Sequence, residues 1–269
     1  MIDFDDLEKK YKCLGIETPT RSMIKTPEQI EGIRRAGVIN TLVLDEVAKH
    51  IREGMSTEEI NTIVHQRTIE LDGIPAPLNY EGFPKSCCTS INDAVCHGIP
   101  NPKDILRSGD IINVDCTTIY QGYYADSSRM FCIGECDDRA LDLVRVTKES
   151  LDLAVKMLKP FSRLRDIGYW IERYVKQKGY SVVHEVGGHG VGLEFHEDPF
   201  IYHYGRKNTG MVLFPGMVFT IEPMVNEFSR HVYLDAGNNW TIYTEDGGLS
   251  AQAEYTVLLT ENGPEILAK

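Results

Sequence analysis

Two separate stretches of this chain are each written twice. LRSGDIINVD (106–115) aligns with LFPGMVFTIE (213–222), sharing Leu, Gly, a run of β-forming residues and a closing acid at an offset of 107. The same offset relates IREGMSTEEINTIV (51–64) to LKPFSRLRDIGYWI (158–171), where Ile60 falls on Ile167. Equal offsets in two elements point to an internal duplication. The chain is therefore expected to form two α+β halves, about 26–136 and 137–269, related by a pseudo-twofold. In that arrangement Asp115 and Glu222 are counterparts facing each other across the seam.

The first copy runs into a hairpin, GDIINVDCTTIYQGYYAD (109–126), with β-branched and apolar residues on either side of Gln121-Gly122. A two-residue loop pairs Tyr120 with Tyr123 and sets Asp126 opposite Thr117, on the same face as Asp115. The two acids then become diagonal neighbours roughly 7–8 Å apart at the backbone, within joint reach of one ion. A three-residue loop breaks this alignment. Acids brought together in a sheet repel unless a proton or cation lies between them.

Helix signals flank the hairpin. Thr26, Pro27 and Gln29 form a capping box with proline at the first helical position, followed by a stripe of Ile30, Ile33, Gly37, Leu44, Val47 and Ile51. Ser56 or Thr57 caps a second helix. Asp137-Asp138 begin a third, with Leu141, Val144, Leu151 and Leu158 as its stripe, and a fourth ends at Gly179. Residues 72–100 read as loop-rich, 217–222 and 250–260 as strands, and 1–25 as an N-terminal arm of unspecified order ahead of a domain spanning 26–269. The net charge of −12 argues against a phosphate-driven nucleic-acid binder. Seven scattered cysteines, no secretory leader and no long apolar run point to a reduced cytoplasm with no membrane association.

The residues that carry chemistry are Asp115, Asp126, Glu222 and Glu254, with His97, His189 and His196. Each acid ends or interrupts a β-run, and inward-facing carboxylates are costly without a cation. Such carboxylate-rich sets with one or two imidazoles suit Mn, Fe(II), Co or Zn. His189 lies in GGHGVG, which lacks both the Lys-Ser/Thr of a phosphate loop and the spacing of a dinucleotide fingerprint. His184-Glu185…His189 is one residue too long for H-E-x-x-H. No G-x-S-x-G elbow supports a serine hydrolase, while Cys96 beside His97 keeps a cysteine nucleophile open on spacing alone.

Five stretches, PKSCCTSINDAVCHGIP, GDIINVDCTTIYQGYYADSSRMF, GGHGVGLEFHEDP, PGMVFTIEPMV and Trp240 through LSAQAEYTVLLT, together resemble the type I methionine aminopeptidases of the "pita-bread" fold. The short interval from Asp126 to His189 resembles type I, and the lack of an N-terminal zinc-finger domain resembles the bacterial or organellar forms. The resemblance implies a single catalytic pita-bread domain and two divalent ions, whether Co, Mn, Fe(II), Ni or Zn. Asp126 and Glu254 would bridge both ions, Asp115 would chelate one, and His189 and Glu222 would complete the other. Glu222 would also act as general base, with His97 and His196 orienting the scissile amide. Tyr80, Phe83, Cys88, Phe195 and Trp240 map onto the methionine pocket, and Asn92 onto a monovalent-cation position. Pro77 and Glu81 depart from the common bacterial residues, Cys and His, at the pocket rim. The implied substrate is the N-terminal Met of nascent polypeptides with a small second residue, met as a monomer with transient ribosome contact. Aminopeptidase P or prolidase-like enzymes share the five ligands, and a non-catalytic peptide-binding module of the same fold is the reading from another class.

Overall fold

The computed structural model describes residues 4–269. Its helices are α1 (Phe4–Cys13), α2 (Pro27–His50), α3 (Thr57–Glu70), α4 (Asp138–Met157) and α5 (Leu164–Gln177). Between α3 and α4 run β1 (Ile74–Pro75), β2 (Cys88–Ile91), β3 (Ala94–Cys96), β4 (Ile111–Tyr120) and β5 (Tyr123–Cys132). After α5 come β6 (Ser181–Val182), β7 (Gly188–Gly190), β8 (Glu197–Ile201), β9 (Val218–Ile221) and β10 (Met224–Asn226). The chain closes with β11 (Val232–Leu234), β12 (Ile242–Thr244), β13 (Ser250–Gln252), β14 (Tyr255–Thr260) and β15 (Gly263–Ala268). Every strand pairing is antiparallel, so the fold is α+β. No described helix is long and apolar enough to cross a membrane.

The 107-residue offset recurs in the helices. α3 and α5 are each 14 residues long, and both their starts (57, 164) and their ends (70, 177) are 107 apart. The first-half sheet is built around β4, which pairs with β1, β2 and β5. The largest second-half sheet runs β15-β14-β9-β7-β8. The halves meet where β5 runs beside β14. There the Thr256 hydroxyl accepts from the Asp126 N–H at 3.0 Å and donates to the Asp126 carbonyl at 2.7 Å, while the Glu254 N–H reaches the Ser128 carbonyl at 3.3 Å.

Local chemistry fixes these elements where the sequence places them. Thr26–Gln29 and Ser56–Glu59 both close complete capping boxes, each satisfying donors that a helix start leaves orphaned. α2 lays Ala36, Val43, Leu44 and Val47 onto the hairpin and its neighbours. Its Gly37 passes so close to β15 that a Cβ would sit 2.1 Å from the Leu267 carbonyl oxygen. Only a residue without a side chain permits that approach.

Three expectations change. The arm contains α1, whose Phe4 and Tyr11 pack on Phe214, each with ring centroids 5.8 Å away. Leu141 faces solvent at 44% exposure, and the inward stripe of α4 is Ala140, Leu143, Thr147, Ser150, Leu151 and Ala154. Its two hydroxyls are satisfied on the helix backbone, Thr147 on the Leu143 carbonyl and Ser150 on that of Thr147, so a polar-looking register is the buried one. The closing segment is two strands, β13 and β14, broken at Ala253-Glu254, and β15 follows as an additional hairpin partner.

Candidate metal centre and peptide cleft

Gln121 and Gly122 both have positive φ (51° and 85°), as a two-residue hairpin loop of primed type requires. Tyr120 pairs with Tyr123 and Thr117 with Asp126, the register derived from the sequence. Asp115 and Asp126 share one face and point into a cleft of about 730 Å³. From the other half come His189 on β7, Glu222 just past β9, and Glu254 between β13 and β14. All five expected ligands thus line one cleft. Ligand atoms of Asp126, His189 and Glu254 lie within 4.8 Å of one another, and His189 Nε2 is 3.6 Å from Glu222 Oε1.

Among the described residues no Lys or Arg lines this cleft. Burial, with mutual repulsion adding to it, pushes the Asp126 and Glu254 carboxyls well above the usual range. Burial likewise lifts Asp115 to about 7 and Glu222 to about 8. It also pushes His189 down to about 3, so the imidazole is a neutral electron-pair donor. Glu254 Oε2 is buried with no hydrogen-bond partner. Buried oxygens normally find a donor. Four clustered carboxyls, one orphaned oxygen and one neutral imidazole are a donor set completed by hard or borderline divalent cations.

The sequence did not reveal what holds these ligands. Thr117 Oγ1 donates to Asp126 Oδ1 at 2.9 Å. Thr220 Oγ1 donates to Glu222 Oε1 at 2.7 Å and also accepts the His189 N–H. Gln252 Nε2 donates to Glu222 Oε2 at 3.2 Å. Lys25 and Glu197 form a buried ion pair, and Glu197 Oε1 accepts the N–H groups of Leu193 and Glu194, fixing the loop that carries Phe195 and His196. The lone visible signal was proximity: Thr220 and Gln252 each stand two residues before an expected ligand.

The remaining expected residues form an aromatic chamber beside the acids. Phe83 meets Trp240 edge-on at 5.2 Å, Tyr80 lies 4.7 Å from Phe195, and Cys88 is buried in the wall. His196 Nδ1 is 2.9 Å from the Tyr80 hydroxyl, and its ring is 4.3 Å from that of His189. His97 has a left-handed backbone (φ 56°), and Trp240 stands against its ring. Burial lowers it to about 4, which makes it neutral near pH 7. A thiol beside such a histidine needs a lowered pKa to act as a nucleophile, whereas burial raises Cys96 well above its usual value. Pro77 and Glu81 both line the cleft. Asn92 lies elsewhere, in a second, polar cleft, with its side chain committed to Asp110 and the Ile111 N–H.

Residues 31–261 match the model of metallopeptidase family M24. The chain belongs to that family. It is 45% identical over 245 residues to the methionine aminopeptidase of Escherichia coli, covering 91% of this chain and 92% of that one. It is 48% identical to methionine aminopeptidase A of Synechocystis, with 89% and 94% covered. The crystal structure of the Rickettsia prowazekii methionine aminopeptidase superposes with a TM-score of 0.90 at 42% identity, over 91% of this chain and 99% of that one.

Proposed function

We propose that this protein is a methionine aminopeptidase that removes the initiator Met from nascent cytoplasmic chains with a small second residue. The observation that carries the reading is the joining of a four-carboxyl, one-imidazole cluster to an aromatic chamber in a single cleft. Aromatic faces and a polarizable thioether are well matched. Divalent metal use follows from the family, and two ions are proposed. Asp115, Asp126, His189, Glu222 and Glu254 would hold them. When bound, such ions supply Lewis acidity that polarises the scissile carbonyl and renders water nucleophilic near neutral pH.

The chain's own residues do the rest. Water oxygen adds to the scissile carbonyl carbon, and Glu222 accepts the proton released. His97 and His196, both held below the ordinary histidine pKa by burial, donate as neutral imidazoles to the amide and the developing oxyanion. Glu222 then passes its proton to the leaving amine as the C–N bond breaks, releasing free Met and the shortened peptide. The free α-amine sits beside Asp115, which restricts cleavage to the first bond. A monovalent cation near Asn92, a monomeric state and a transient ribosome contact belong to the same reading.

The deciding assay uses metal-free protein restored with Mn, Co or Fe(II) and offered Met-Ala-Ser beside Ala-Pro-Ala. Release of Met from the first alone is expected. Cleavage of only the proline peptide would overturn the methionine reading, and inactivity with every metal would favour a binding module.

A further inference from the structure

Glu222 is held at three points. Thr220 fixes Oε1, Gln252 fixes Oε2, and its backbone N–H donates to His203 Nε2 at 3.1 Å. The third point is unusual because a side chain supplies what a sheet ladder ordinarily does. β9 stops at Ile221, Pro223 contributes no N–H, and the chain then leaves for β10 in a different sheet. Glu222 therefore occupies a switch between sheets, where a side chain and not a ladder partner takes its N–H. His203, two residues beyond β8, is 1% exposed.

An N–H can only donate, so Nε2 must be bare and the ring proton must sit on Nδ1. Nδ1 is itself buried without a protein partner. An unsatisfied buried donor is destabilising, and an apolar side chain of like volume would exchange it for another, the Glu222 N–H. Stability alone therefore does not select an imidazole here. A Lys or Arg could not accept the N–H and would place a rival cation beside the acids. A neutral acceptor suits both demands.

We infer that His203 is a positioning residue: by accepting the Glu222 N–H it fixes the backbone from which the proposed base and metal ligand projects. This rests on the role given to Glu222 above. The closest substitute is His203→Gln, whose Oε1 reaches the position of Nε2. His203→Leu removes the acceptor, and His203→Asn keeps a buried amide whose oxygen falls short of Glu222.

The test measures kcat and KM on Met-Ala-Ser at saturating Mn, Mn affinity by calorimetry, and Tm for all three variants, with Glu222→Gln alongside. The expected result is a kcat near wild type for His203→Gln. His203→Leu and His203→Asn should fall by up to about 10²-fold, the scale of an ångström-sized misplacement, with KM little changed. Should His203→Leu not fold, His203→Asn carries the comparison. Equal impairment of Gln and Asn variants, or a wild-type kcat in Asn, would overturn the inference. A wild-type kcat in Glu222→Gln would instead remove the base assignment on which it stands.

Discussion

Asn40 offers a sharp test of how the first half is fastened. It sits in α2, fully buried, facing the side of the hairpin opposite the acids. Its Nδ2 donates to the carbonyls of Cys116 and Ala125, and its Oδ1 accepts from Ser127 Oγ at 2.6 Å. Cys116 and Ala125 directly adjoin Asp115 and Asp126, so one amide braces both strands of the metal-site wall. Asn40→Ala deletes two carbonyl bonds, at about 1 kcal/mol each, and strands the Ser127 hydroxyl, at about 2 kcal/mol. The expected loss is about 4 kcal/mol, which for a chain of this size corresponds to roughly 8–16 °C in Tm. Urea unfolding of metal-free protein measures it. Adding Ser127→Ala to the Asn40→Ala background should recover about 2 kcal/mol, because the stranded donor is gone. A single-mutant loss below about 1 kcal/mol, or no recovery in the double mutant, would refute the bracing argument.

Other perturbations address the cleft itself. Glu222→Gln and His97→Ala should each lower kcat on Met-Ala-Ser by about 10²–10⁴-fold while the circular dichroism of the fold persists; a wild-type rate in either removes that assignment. Lys25→Met leaves Glu197 as an unpaired, largely buried charge, so stability should drop by about 3–5 kcal/mol and KM should rise as the loop bearing Phe195 and His196 loosens; an unchanged Tm would contradict this. In metal-free protein, Asp115 and Glu222 titrate near 7 and 8, above their values in the unfolded chain. The fold then holds protons that the unfolded chain has shed, so their stabilising contribution is full below about pH 4 and drains as pH rises through 7–8. Metal should accordingly raise Tm more at about pH 8 than at about pH 5.5, and its uptake should release protons, seen as a buffer-dependent heat of binding. An increment in Tm that ignores pH would count against protonated acids in the metal-free site.

Much of this was legible beforehand because rigid periodicities carried it. Strand side chains alternate without slack, so one turn at Gln121-Gly122 fixed the partners of Asp126 nine residues from Thr117. The 107-residue offset survived into the ends of α3 and α5 for a like reason, since a 14-residue helix has little room to drift. Where a polar residue was the buried one, the pattern misled: Thr147 and Ser150 concealed the inward face of α4, and Leu141 advertised a false one. Local supports such as Thr220 and Thr117 stand near their ligands, whereas others escaped notice because their partners are remote. Thr256 meets Asp126 across 130 residues and Asn40 meets Ser127 across 87, and no spacing rule spans such gaps.

Acids at the same repeat position converge. Asp115 lies within β4 and Glu222, 107 residues further on, just past β9, and both line the one cleft. Bonds that join the halves hold these same ligands, since Thr256 holds the backbone of Asp126 and Ser128 that of Glu254. The joint between the halves and the cluster of carboxyls are therefore one place. Like charges at such a joint repel, and burial amplifies the repulsion because little water screens it. The same feature that makes the seam a poor contact without a cation makes it a strong cradle with one. A site assembled this way draws its ligands from both halves at once, so neither half alone holds the set: Asp115 and Asp126 come from one, His189, Glu222 and Glu254 from the other.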